Sequence, residues 1–432
     1  MNKTKFFLLL SLTLSFLIFG PIHADTITAP MVYDDDELDP DLLAEYRDQV
    51  WAEWKDAMLS DETLLYETSE QAMTFGDATM RYSVETIGEM PEDGYPLYIA
   101  LHGGGADDTP YLNDSQWEDM QIYYRGYLDN CVYVAVRGVR DTWDTHFNPE
   151  SYPLYDRLIE YMILTENVDL NRVYLLGFSA GGDGVYAVGA RMADRFAAAN
   201  MSSGHPNGIS LTNYYHLPLQ LQAGEKDTAY DRHIVTAQYG MLLDELQQMF
   251  PDGYEHRTLI HADRGHNYED YDPEPVRVFS DIYGYLSGED RSTVTVDSYA
   301  PDWLKNFVRD PLPETIRWDL GTRAELRETE SFYYLSADEN AKGIIGVRRD
   351  GNSVWLSPEN FEGDFMIYFN EDMIDFSQPV HFHVADRGEI DVFLIPEGYR
   401  LLETTFDRGD PNFQFEAAVS YLWLLENMQK NR

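Results

Sequence analysis

Five residues, Gly177-Phe178-Ser179-Ala180-Gly181, have the types and spacing of a nucleophile site. The apolar run Val173-Tyr174-Leu175-Leu176 leads straight into them and a small-residue stretch follows, so the segment is predicted as strand, sharp turn and helix. A serine at such a turn needs glycine two positions to either side, because a larger side chain would collide with the neighbouring strand and helix. The turn lifts the Ser179 hydroxyl clear of the sheet, where it can attack a carbonyl carbon. An ordinary glycine-rich turn has the same pattern; the flanking strand and helix favour the nucleophile elbow.

A serine hydroxyl needs a base to take its proton, and the base needs a carboxylate to fix its tautomer. In elbow enzymes the acid and then the histidine follow the serine in chain order. The apolar stretch 217–223 ends in Gly224-Glu225-Lys226-Asp227, which puts Asp227 on a loop just past a strand end, with Glu225 and Asp231 as rivals on that loop. The stretch 257–261 is followed by Asp263-Arg264-Gly265-His266, and His266, on a glycine-preceded loop, is the expected base. His261 ends the strand itself and is the nearest competitor, while His256 precedes that strand and belongs at the other edge of the sheet.

The oxyanion of a tetrahedral intermediate needs two N–H donors. One is expected from Ala180, directly after the nucleophile. The other is expected from His102-Gly103-Gly104-Gly105, at Gly104 first and Gly103 second, unless this run is a simple tight turn. Trp143, His146 and His205 follow strand ends at the same edge and are candidate substrate contacts, able to stack on a sugar or phenolic ring, although Trp143 could equally cap the core. No His/Cys/Asp/Glu cluster has metal spacing, and His381-Phe382-His383 reads as part of a β-strand, so no metal is expected.

These residues need a sheet to hold them. Helical spacing of Leu42, Leu43, Tyr46, Val50, Trp51, Trp54 and Leu59 predicts an amphipathic helix over 39–65. Strands are expected at 72–90, 96–101, 131–139, 172–176, 196–201, 217–223 and 257–261, alternating with helices at 116–128, 152–164, after the elbow, at 233–250 and at 275–286. This rhythm predicts an α/β fold with a mostly parallel sheet and the site at the carboxyl ends of the strands. Beyond 287 a polar linker over 288–313 precedes short strands at 315–319, 331–336, 343–348, 353–356, 365–369, 380–384 and 391–395, which predicts a small β-rich C-terminal domain over 314–432. The catalytic domain is expected over 71–287, preceded by an acidic segment and the helix over 25–70.

The first 24 residues, with Lys3 and Lys5, an apolar run to Phe19 and a small-residue end at Ala24, read as a secretory signal peptide. The expected location is therefore secreted or periplasmic, with no membrane association after cleavage. Cys131 is the single cysteine, so an internal disulfide is impossible, and its apolar strand predicts burial rather than reactivity. With 76 acidic against 31 basic residues the formal net charge is −45, a field that repels nucleic acid and anionic lipid. Charge favours dispersal in solution and says nothing of the reaction.

Together, His102 to Gly105, Gly177 to Gly181, Gly224 to Asp227 and Gly265-His266 resemble the α/β-hydrolase superfamily, most nearly its secreted esterases similar to polyhydroxybutyrate depolymerases and feruloyl esterases, often labelled predicted peptidases. The similarity covers about residues 72–286 and omits the C-terminal region. The resemblance implies the α/β-hydrolase fold, hydrolysis of a small-molecule or carbohydrate ester through an acyl-enzyme, and no cofactor. An extracellular serine peptidase with the same machinery is one alternative; a surface or glycan-binding protein with an inert hydrolase fold is another. The sequence leaves the oligomeric state open.

Overall fold

The structure, a computed structural model, describes residues 37–105, 110–268, 302–321 and 331–430. The expected signal segment, the helix expected over 275–286 and the first part of the stretch 288–313 lie outside the described residues. Instead of one helix over 39–65 there are two, α1 (Leu43–Leu59) and α2 (Glu62–Glu70). Asp61 separates them: its backbone is extended and its carboxylate accepts the N–H groups of Thr63 and Leu64, so a new helix starts there. Likewise the stretch 72–90 is a hairpin, β1 (Ala72–Phe75) and β2 (Ala78–Ile87), because Gly76 at φ 59° reverses the chain.

The main sheet continues through β3 (Tyr95–Leu101), β4 (Cys131–Val136), β5 (Val168–Phe178), β6 (Ala198–Ser202), β7 (Leu219–Gly224) and β8 (His256–His261). Its strand order is β1-β2-β4-β3-β5-β6-β7-β8, antiparallel at the first two pairings and parallel through the rest. Helices α3 (Pro110–Tyr123), α4 (Ser151–Glu166), α5 (Ala180–Arg191) and α6 (Arg232–Met249) lie in the crossovers. A sheet covered on both faces reads as unbroken apolar runs, and every residue of β4, β6 and β7 is buried. The period of two is still visible in the packing: Leu97, Ile99, Leu101, Val132, Val134 and Val136 enter one core, Tyr98, Ala100, Tyr133 and Ala135 the other. Cys131 is buried in the second core, and burial pushes its thiol up to about 12. The chain thus has an α/β fold with the strand order of the α/β-hydrolases.

The C-terminal part is rich in β-structure. β10 (Ser331–Phe332), β11 (Leu335–Ala337), β15 (Phe365–Phe369) and β18 (Ala417–Ser420) make an antiparallel sheet. β14 (Glu359–Glu362), β12 (Lys342–Asp350), β13 (Ser353–Leu356), β16 (Val380–Val384) and β17 (Gly388–Val392) make another, with β9 (Thr315–Asp319) also paired to β12. The run expected as one strand at 331–336 is split by Tyr333, whose φ of 53° turns the chain between β10 and β11. Two helices, α7 (Gly398–Arg408) and α8 (Tyr421–Lys430), were not expected.

This part packs directly on the main sheet. Ile316 and Trp318 belong to the same apolar cluster as Leu97 and Val173, and Asn213 bridges the Ala190 carbonyl and the Asp319 N–H. A buried ionic knot joins the two regions: Asp410 Oδ2 lies 2.8 Å from Arg309 and 3.4 Å from Arg195, and Arg408 pairs with Asp194 at 2.5 Å. Burial alone would raise the Asp410 carboxyl, but Arg309 and Arg195 outweigh it and hold it below its ordinary value.

Candidate active site

Ser179 stands between β5 and α5 with φ 57° and ψ −118°, a region that L-residues rarely occupy. The turn is held by close backbone approach. A Cβ on Gly177 would lie 2.1 Å from the Gly181 carbonyl oxygen, and one on Gly181 would lie 2.0 Å from that of Leu101. The Ser179 N–H donates to the Ser202 carbonyl at 2.9 Å, and its own carbonyl accepts the Asp183 N–H at 3.0 Å, locking the turn to β6 on one side and the helix on the other.

His266 Nε2 is 3.0 Å from Ser179 Oγ, and His266 Nδ1 is 2.8 Å from Asp227 Oδ2. The Asp227 side chain is 1% exposed and that of His266 34%, so the carboxylate is shielded while the imidazole opens to solvent. Arg232 stands 3.8 Å from Asp227 Oδ1, and the Asp227 carbonyl accepts the N–H of His233 at 3.3 Å. The structure therefore brings together Ser179, Asp227 and His266. Glu225 serves elsewhere: its carboxylate accepts the Asp263 N–H at 3.0 Å and ties the acid loop to the histidine loop. Asp231 sits at φ 55° at the start of α6. His261 is buried against Gln222, and burial, reinforced by Arg257 and Arg264, lowers it to about 3. His256 pairs with Asp244.

Gly103 comes nearest the serine: a Cβ there would be 3.3 Å from Ser179 Cβ. Gly104 has φ 103° and is open only to glycine. The Gly105 N–H is taken by Asn113 Oδ1 at 2.7 Å, whereas among the described residues the N–H groups of Gly103, Gly104 and Ala180 donate to no protein acceptor.

Of the three candidate substrate contacts, Trp143 is 51% exposed, and its carbonyl lies at the same glycine turn, 3.2 Å from where a Gly105 Cβ would be. Tyr111, in the first turn of α3, and Tyr230, between β7 and α6, are exposed aromatics that the sequence reading passed over. His205 is half-buried; its N–H donates to Asp183 at 2.6 Å, and Asn207 Nδ2 reaches the other oxygen of that carboxylate at 3.0 Å. Burial raises the Asp183 carboxyl above its ordinary value. His146 corrects the expectation: it is fully buried and cannot touch a substrate, with Nε2 2.8 Å from the His102 carbonyl. Sequence reasoning also missed Asn113, for which no motif gave a signal, and Phe178, whose ring packs on the His266 imidazole at 5.1 Å and is itself backed by Tyr268. Phe178 could have been found as the residue before Ser179 in the Gly-x-Ser-x-Gly turn. Among the described residues no group of three or more His, Cys, Asp or Glu could hold a metal ion, and no helix is long and apolar enough to cross a membrane.

No protein-family model matches the chain. Over 114 residues it is 32% identical to a bifunctional acetylxylan esterase/xylanase of Neocallimastix patriciarum, an alignment covering 26% of this chain and 16% of that protein. The chain thus spans only a small part of that relative's length. Among solved structures it is similar to a thermostable esterase (TM-score 0.38, 22% identity, 55% of this chain and 62% of that one). It is also similar to the LpqC poly(3-hydroxybutyrate) depolymerase from Bordetella parapertussis (TM-score 0.37, 15% identity, 45% and 80%). The fold assignment itself rests on the strand order and the elbow between β5 and α5, which are those of an α/β-hydrolase.

Proposed function

We propose that the chain is a serine hydrolase that cleaves carboxylic esters through an acyl-enzyme. The observation that carries this reading is the continuous line from Ser179 Oγ to His266 Nε2 at 3.0 Å and from His266 Nδ1 to Asp227 Oδ2 at 2.8 Å, at the tip of a strained turn. His266 Nε2 accepts the hydroxyl proton as Ser179 Oγ bonds to the carbonyl carbon. Asp227 accepts the Nδ1–H and stabilises the imidazolium. The developing oxyanion lies against the N–H groups of Ala180 and of Gly104 or Gly103. Collapse expels the alcohol, which takes the proton from Nε2; a water activated by the same nitrogen then releases the acid and regenerates Ser179. None of these steps calls for a cofactor.

The substrate reading is an acylated or feruloylated carbohydrate ester. It is supported by the exposed Trp143 beside the glycine turn and by the short stretch of identity with an acetylxylan esterase. The leader-like first 24 residues support export. The test is a panel of p-nitrophenyl esters, acetylated xylan and aminoacyl-nitroanilides given to the full chain and to Ser179→Ala. Ester turnover and fluorophosphonate labelling are expected in the parent, with both lost in S179A. Amide turnover without ester turnover would overturn the ester reading, and parent protein without Ser179-dependent labelling would overturn the hydrolase reading.

A further inference from the structure

We propose that His146 is a positioning residue for the oxyanion site, its ring N–H setting the direction of the Gly103 N–H. The inference rests on the reading that Ser179 is the nucleophile. Across a trans peptide the C=O of one residue and the N–H of the next lie in one plane and point opposite ways. His146 Nε2, 2.8 Å from the His102 carbonyl oxygen, faces an atom that can only accept, so Nε2 carries the proton. Holding the His102 oxygen on one side aims the Gly103 N–H to the other, and Gly103 is the glycine nearest Ser179.

The next peptide is fixed in the same manner. The Gly138 N–H donates to His102 Nε2 at 3.0 Å, so His102 Nδ1 bears the proton and donates to the Gly103 carbonyl, which sets the Gly104 N–H. Asn113 then takes the Gly105 N–H. Three buried side chains thus fix three successive peptide planes and leave the Gly103 and Gly104 N–H groups to a ligand. The two imidazoles touch edge to face at 4.5 Å, so His146 also props the ring of His102.

Two further observations separate a designed bond from filling of space. His146 Nδ1 is buried and, among the described residues, has no hydrogen-bond partner, so the polar contact of this ring is the Nε2–H alone, and an apolar side chain of similar size would fill the space but leave the His102 carbonyl without that donor. What the imidazole adds is the Nε2–H. Its seat is provided by Gly184 on the nucleophile helix, where a Cβ would come within 2.9 Å of His146 Cβ. Burial lowers both imidazoles, His102 to about 4, so both stay neutral and keep these tautomers at neutral pH.

The test compares His146→Leu, His146→Gln and His146→Asn in the full chain. It reads kcat and KM on p-nitrophenyl acetate, the inhibition constant of phenylboronic acid, whose tetrahedral Ser179 adduct places an oxygen in the oxyanion site, and Tm. Gln carries its amide nitrogen at the reach of Nε2, Asn at the reach of Nδ1, and Leu has no donor. H146L and H146N are expected to lose about tenfold to a hundredfold in kcat, with a matching weakening of the boronate and KM within about threefold, while H146Q stays within about threefold of the parent. Should H146L not fold, the contrast between H146Q and H146N carries the test. Parent-like kcat and boronate affinity in H146N or H146L would overturn the positioning role alone. A parent with no Ser179-dependent turnover would overturn the hydrolase reading and this inference with it.

Discussion

Asp227 offers Oδ2 to His266 Nδ1 from an almost fully buried position, with the Arg232 guanidinium within 3.8 Å of its other oxygen. An amide in its place would present N–H to N–H or force the imidazole into the other tautomer, with its proton facing Ser179. Asp227→Asn is therefore expected to lower kcat by about 10³ to 10⁴ with little change in KM, measured on the ester that S179A fails to turn over. The meeting of Ser179, Asp227 and His266 was legible in the sequence because each follows an apolar strand and because their chain order constrains which loops converge. Burial was not legible. His146 and Trp143 lie three residues apart on one loop and look alike as candidates, yet one is 0% and the other 51% exposed, a difference set by what packs over the loop.

Among the elements, the strands of the main sheet were readable because two-sided burial makes them continuous apolar runs, as in Cys131–Val136. Two C-terminal helices were not. α8 begins at Tyr421 immediately after β18 ends at Ser420, with no turn residue between them, and α7 contains Thr404 and Thr405, whose hydroxyls bond back to carbonyls of the preceding turn. Where β18 begins, a buried carboxyl meets α1. Glu416 is fully buried with Arg47 Nε at 3.5 Å, but that guanidinium already serves Glu371 and Asp372, each at 2.6 Å. Burial outweighs Arg47 and raises Glu416 from 4.5 to about 8. A folded state that holds this proton more tightly than the unfolded chain has the full benefit below about 4.5 and loses it as pH rises through about 8. Glu416→Gln keeps the shape and cannot ionise, so Tm measured from about pH 5 to 8.5 should fall less steeply in E416Q than in the parent. Parallel curves would refute the assignment.

For the whole molecule, the apolar cluster shared by the main sheet and the C-terminal strands, together with the knot around Asp410, implies that both regions melt as one cooperative unit. Calorimetry should give a single transition. Asp410→Ala leaves Arg309 and Arg195 buried without their shared counter-charge and is expected to cost about 3 to 5 kcal/mol, read as a lower denaturant midpoint for both regions together. Two separate transitions in the parent would contradict the single unit.

The loops after β7 and β8 are also fastened to each other: Glu225 grips Asp263, the Lys226 N–H reaches the Arg264 carbonyl at 2.9 Å, and Gly224 lies against the Gly265 carbonyl with no room for a side chain. Asp227 and His266 therefore ride on a single arm at the rim of the sheet, while Ser179 is anchored near its middle. On the proposed mechanism, any swaying of that rim would alter the gap the proton crosses to reach the imidazole yet leave the imidazole and its carboxylate in register, so it would change the rate of proton transfer and not the basicity behind it.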